Sequence, residues 1–262
     1  SHVSSSLELS RKWGQATHSV LAATEADLEV FPNLEGKRKT YAAMVYAMDR
    51  GIGRIVEALK ENGSYENTLI IFMSDNGGRT DEGATNEPLR GVKGDTYEGG
   101  FRVPMLVHWA GKVPSGRVYD QPVSALDLYP TFTQLAGANV PDGKDLDGTD
   151  IWNDFLAGQS ARKGGMIYSV RYQNGYTDVG ARIDDWKVTR HNREWKLFNI
   201  TKDLGESNDL AGQYPERLQQ MVKQVQKYAE SHVQPLWFDS PEAEKKWHAA
   251  DMPNYEKTFE PN

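Results

Sequence analysis

The chain has 262 residues, 38% hydrophobic and 10% aromatic, enough to bury a sizeable core in one large or two small domains. Its net charge of −7, from 37 acidic against 30 basic residues with no dense basic block, argues against nucleic acid as a partner. Cysteine is absent, which excludes disulfides, thiolate metal sites and a thiol nucleophile within these residues, and the longest apolar runs fall far short of the roughly 20 residues a membrane helix needs.

The opening stretch SHVSSSLELSRKW lacks the apolar core of a signal peptide, so export is not legible there. From Thr40 the spacing of Tyr41, Val45, Met48, Ile52, Ile55, Val56 and Leu59 predicts a helix, with Asp49, Arg50, Arg54, Glu57 and Lys60 largely on the other face. Asn62-Gly63 stops it. The run TLIIFM, residues 68–73, reads as a strand covered on both faces in a parallel sheet, and residues 103–109 as a second buried strand. Ser124 with Asp127 predicts a further helix ending near Gly137, shortened or kinked by Pro130.

The character changes after about Trp152. Residues 166–171, 179–183, 186–190 and 195–198 are short strand-like segments separated by turn pieces such as Gln173-Asn174-Gly175 and Asp184-Asp185, which predicts a small antiparallel sheet. A helix follows Tyr214-Pro215-Glu216, with Leu218, Met221, Val222, Val225 and Ala229 on one face and Pro215 in the first turn, where its missing donor is harmless. The last 25 residues read as a surface tail. The expected fold class is α/β, a sheet layer flanked by helices over residues 1–155, with a smaller α+β subdomain of antiparallel sheet and helix over 156–262.

Two stretches carry candidate chemistry. Asp75 and Asn76 directly follow the 68–73 strand, and ligands of open α/β sheets bind beyond the carboxyl ends of strands. Their carboxylate and amide oxygens suit a hard divalent cation, Ca²⁺ or Mg²⁺. The plainer alternative is an Asn-Gly hairpin turn. Downstream, EPLRGVKGDTYEGGFRVPM, residues 87–105, has four glycines, Gly91, Gly94, Gly99 and Gly100, that allow tight turns or close approach to a ligand, beside the cations Arg90, Lys93 and Arg102. Such a loop could cradle an oxyanion or be an ordinary solvated loop.

SDNGG followed by LRGVKGDTYEGGFRVPMLVHWAG resembles the type I sulfatases of the alkaline phosphatase superfamily, whose pattern is a DNG followed by GKxxxYEGGxRVP. KLFNITKDLGESNDLA, residues 196–211, is similar to the family's LYDLxxDPxExxNLA segment, and THSVLAATEADLEVF, residues 17–31, to its PHTPLQATEEDLARF segment, with Val20 where the family has proline. The resemblance implies an alkaline phosphatase-like sheet layer and a sulfuric ester hydrolase. It assigns Asp75 and Asn76 as metal ligands, usually to calcium, Lys93 as the contact to sulfate and leaving-group oxygen, and His18 as the leaving-group-side histidine. On residues alone, a lone histidine such as His18 reads as a plain surface residue.

The resemblance also defines what is missing. The family's formylglycine is made within a CxPxR or SxPxR motif, and neither occurs in these 262 residues; the nearest string, VPSGR at residues 113–117, lacks the leading residue. The paired aspartates that complete the family's metal site are missing too. The chain therefore resembles the C-terminal portion of a sulfatase, with the missing N-terminal half as an expected partner and a sulfated small molecule or glycan as substrate. A phosphatase or phosphodiesterase of the same superfamily and a non-catalytic sulfatase-like binding module are the alternatives. A periplasmic or secreted location is expected from the resemblance alone.

Overall fold

The computed structural model describes residues 21–173, 176–191, 194–231, 236–238 and 240–249. Its first two helices are α1 (Glu25–Glu29) and α2 (Gly36–Glu61). Thr24 caps α1 by accepting from the Asp27 amide, and the Asp27 carboxylate receives the Arg50 guanidinium, which ties α1 to α2. Helix α2 begins four residues before the predicted start and closes at Asn62, with Gly63 at φ +74°. Its predicted apolar stripe is half-buried except for Ile55, which is exposed; Ala43, Met44 and Gly51 are its buried residues.

Strand β1 (Ile70–Met73) leaves this helix through a 3₁₀ turn at Tyr65–Asn67. It pairs antiparallel with β2 (Met105–His108), Ile70 opposite His108 and Met73 opposite Met105. The expectation of a parallel strand covered on both faces is corrected here: β1 is half-buried throughout, β2 alternates, and Leu106 is 65% exposed. An unbroken apolar run encodes affinity for a layered interior but carries no information on strand direction, which is set by the partner the chain brings back.

The chain divides into two compact units, residues 1–87 with 102–115, and residues 88–101 with 116–262. The elements above form the first. The second contains the glycine-rich loop with the short helix α3 (Glu98–Phe101), then α4 (Leu128–Leu135) and α5 (Trp152–Ala157). The predicted cap is present: Ser124 Oγ accepts from Leu126 N and Asp127 Oδ2 accepts from Ser124 N, a capping box. Pro130 falls in the first turn of α4, where it breaks nothing. Asp127 is fully buried and takes the Arg162 guanidinium and the Thr149 amide.

The predicted antiparallel sheet is a four-stranded meander of β3 (Ile167–Gln173), β4 (Tyr176–Ile183), β5 (Trp186–His191) and β6 (Glu194–Asn199), in that order. The Asp184-Asp185 turn joins β4 to β5, with Asp184 at φ +49°. Inward residues Val179, Ala181, Val188, Trp195 and Leu197 pack with Met221, Val222, Val225 and Ala229 of α6 (Pro215–Glu230). Each fully buried aliphatic there contributes about 1.5–3 kcal/mol. Part of the stretch expected as a surface tail is helical, α7 (Pro241–Ala249), with Trp247 buried. Among the described residues no helix is long and apolar enough to cross a membrane.

Candidate functional site

Beyond Met73 the chain does not turn back as a hairpin. β1 finds its partner in β2, some thirty residues on, and Gly78 is instead pinned by the Asn86 amide, which accepts from Gly78 N at 2.8 Å and donates to Gly78 O at 2.9 Å. The hairpin reading of Asn76-Gly77 is therefore set aside. Ser74 Oγ donates to the Asn76 carbonyl at 2.9 Å, and Asn76 Nδ2 donates to Asp75 Oδ2 at 2.6 Å. With its nitrogen so engaged, Asn76 keeps Oδ1 as an acceptor beside Asp75 Oδ1, and neither oxygen has a partner among the described residues.

Two adjacent hard oxygens fit a divalent cation such as Ca²⁺ or Mg²⁺, and they fit as part of a site. Calcium takes about 6–8 oxygens, and no group of three or more potential ligands is assembled among the described residues.

Lys93 lies in the second unit, at the apex of a turn. Asp95 N donates to Val92 O at 2.8 Å, Val92 N donates to Asp95 Oδ2 at 2.9 Å, and Gly94 takes φ +94°. The Arg171 guanidinium, from β3, donates to the Gly94 carbonyl. The turn is thus pinned on both sides, while the Lys93 side chain is exposed and its ammonium has no partner among the described residues. A rigid backbone presenting an unpaired cation is what recognition of a tetrahedral anion requires. His18, the fourth predicted site residue, lies outside the described residues.

The turn rests on a buried charge network that the sequence reading did not pick out. Lys187 Nζ lies 3.0 Å from Glu98 Oε1 and 2.8 Å from Glu206 Oε1, with all three side chains at 0–1% exposure. Arg182 Nη1 reaches Glu98 Oε2 at 3.1 Å, and Glu98 N donates to Glu206 Oε2 at 2.6 Å. Burial pushes the Glu206 carboxyl above its ordinary value, opposed by the charge and hydrogen bond of Lys187. Arg90 donates to the Glu206 carbonyl at 2.8 Å and lies 4.1 Å from the Tyr97 ring centre. Both glutamates stand inside the motifs quoted above, Glu98 in YEGG and Glu206 in DLGESNDLA, and that co-occurrence was the available signal. The double glycine of YEGG serves the same packing: a Cβ on Gly99 would lie 2.5 Å from the Gly91 oxygen, and one on Gly100 2.0 Å from the Asp95 oxygen.

His191 anchors the far side of the loop. Its ring stacks on Tyr97 at 4.3 Å, Nε2 is 3.0 Å from Thr96 Oγ1, and Nδ1 is 3.6 Å from Asp178 Oδ1. Burial holds the imidazole below its ordinary 6.5 and outweighs the opposing pull of the Asp178 charge. Because the folded value is depressed, this group's stabilisation is present above about pH 6.5 and is lost as pH falls through the folded value. The ¹H NMR titration of the His191 ring, assigned by its disappearance in His191→Gln, should have its midpoint below 6.5. A midpoint above it would mean that the ion pair with Asp178 dominates.

Comparison with known proteins bears on both units. The family description "Sulfatase" matches residues 9–138, and "N-sulphoglucosamine sulphohydrolase, C-terminal" matches residues 93–234. The chain is 29% identical to arylsulfatase J of Mus musculus over 84% of this chain and 44% of that protein. It is 32% identical to the uncharacterized sulfatase YdeN of Escherichia coli (strain K12) over 75% of this chain and 41% of that protein. It is similar to the solved structure of Ps i-CgsB in complex with k-i-k-neocarrahexaose, with a TM-score of 0.90 and 47% identity over 93% of this chain and 54% of that one. The chain spans less than half the length of these curated relatives. It belongs to the sulfatase family of the alkaline phosphatase superfamily.

Proposed function

We propose that this chain supplies part of the active site of a sulfuric ester hydrolase that acts on a sulfated glycan. The observation that carries the reading is the Lys93 ammonium, unpaired among the described residues and held out on a turn fixed by Arg171 and Asp95. Hydrolysis of a sulfate ester needs a nucleophile aligned with the breaking S–O bond, charge neutralisation on the sulfate oxygens and help for the departing alkoxide. Lys93 would contact the sulfate and the bridging oxygen, and His18 would assist departure of the alcohol.

Asp75 and Asn76 would hold a divalent cation, calcium by family resemblance, which when bound supplies electrostatic stabilisation of the sulfate oxygens. No CxPxR or SxPxR motif occurs in these 262 residues, so the nucleophile and the remaining ligands would come from further sequence or a partner chain. The glycan class draws support from the saccharide bound in the similar structure. A periplasmic or secreted location is proposed with it, on resemblance alone.

A cation opposite a tetrahedral oxyanion serves phosphate esters as well, so matched substrates decide the reaction class. The complete protein, given an aryl sulfate and the corresponding aryl phosphate with added calcium, should hydrolyse the sulfate faster. Faster phosphate hydrolysis would make it a phosphatase of the same superfamily, and hydrolysis of neither, nor of a sulfated oligosaccharide, would make it a binding module.

A further inference from the structure

At the end of the sheet remote in sequence from the Lys93 turn, the second unit forms a cleft of about 440 Å³ between the start of β5, the end of β6 and the segment leading into α6. That volume lies in the range of small-molecule sites, ~300–1,000 Å³. Trp186 and Tyr214 form its aromatic wall, their rings edge to face at 5.1 Å, and the Arg217 guanidinium lies 4.5 Å from the Trp186 ring centre. Asn199, Lys202 and Asn208 line the polar side.

The hydrogen-bonding inventory is one-sided. Asn199 is only 8% exposed; its Oδ1 accepts from Lys202 N at 3.1 Å, yet its Nδ2 has no partner among the described residues. This nitrogen opens to the cleft, where it can donate to a ligand oxygen in place of water. The Trp186 indole N–H, the Asn208 amide and the Lys202 ammonium are likewise without partners among the described residues. Asp203, the acidic group in the lining, is already committed: it accepts from Ser207 N, Ser207 Oγ and Asn208 N, each at 2.8 Å. The cleft therefore offers donors, a cation unpaired among the described residues and apolar ring faces, while its carboxylate already accepts three hydrogen bonds from within.

We propose that this cleft binds one pyranose unit of an anionic, sulfated oligosaccharide. The aromatic wall takes the C–H face of the sugar, the Asn199 and Asn208 amides donate to its oxygens, and Lys202 meets the sulfate. The choice of a sulfated sugar rests on the proposed function; the donor-rich aromatic cleft does not. A site here would hold a second stretch of a long substrate and raise its effective concentration through multivalency.

Isothermal titration of the chain with a sulfated carrageenan hexasaccharide and with its desulfated counterpart tests this. Binding of the sulfated form should weaken at least tenfold in the Lys202→Gln, Asn208→Ala double variant and for the desulfated sugar. Should the double variant fail to fold by circular dichroism, Lys202→Glu alone, an exposed charge reversal, is the deciding variant. No binding to the parent chain at millimolar sugar, equal binding by the variant, or equal binding of the desulfated sugar overturns the proposal. Lys202-dependent binding in a protein that hydrolyses no sulfate ester would sink the catalytic reading and leave this one standing.

Discussion

Replacing Lys187 with methionine is expected to destabilise the second unit by about 3–5 kcal/mol, because among the described residues it is the one cation paired with the Glu206 carboxylate, and its loss leaves buried carboxylate charge uncompensated. Arg182 still touches Glu98 but makes no contact with the Glu206 side chain. Urea denaturation at pH 7 measures the loss. Two features separate electrostatics from lost packing against Phe101, whose ring centre is 4.5 Å from the ammonium. Adding Glu206→Gln should restore part of the loss, as the orphaned charge is then gone. The deficit should also shrink on acidification: the folded-state pKa of Glu206 is raised, so its stabilisation is fully present below the unfolded value of about 4.5 and is lost as pH rises through the folded value. A deficit under about 1 kcal/mol, or one indifferent to pH, would mean that the triad is not a stabilising element.

This network shows where sequence reading stops. The sheet β3–β6 was legible because each strand is short, apolar on one side and bounded by turn residues such as Asp184, and α6 because Leu218, Met221, Val222, Val225 and Ala229 share one face behind Pro215. The Lys93 turn was legible through Gly94, which the φ of +94° requires. Glu98, Lys187 and Glu206 carry charges, and charges in a sequence read as surface. Their partners lie as far as 108 residues away, so no local spacing announces the burial. The direction of β1 was illegible for a related reason: its four apolar residues do not specify whether the returning strand is parallel or antiparallel. Glu206 marks the same limit in the backbone, at φ +50° where no glycine gives a warning.

In the complete protein, Lys93→Ala should lower kcat/KM on a sulfate ester by about 10²–10³-fold, the range seen when one preorganised group facing developing oxyanion charge is removed. It should do so at nearly constant stability, within about 0.5 kcal/mol, because the side chain is exposed and pairs with nothing among the described residues. That combination is diagnostic. A lysine that merely solvates the loop would change neither quantity, and one that holds the loop together would change both. Asp75→Ala supplies the complementary outcome: activity should require higher calcium, since one of the two hard oxygens at the end of β1 is lost while Asn76 remains. If Lys93→Ala kept more than about a third of the activity, a penalty too small for a group facing transition-state charge, the exposed cation would have to face something other than the reacting sulfate, and the catalytic reading of the turn would fall with it.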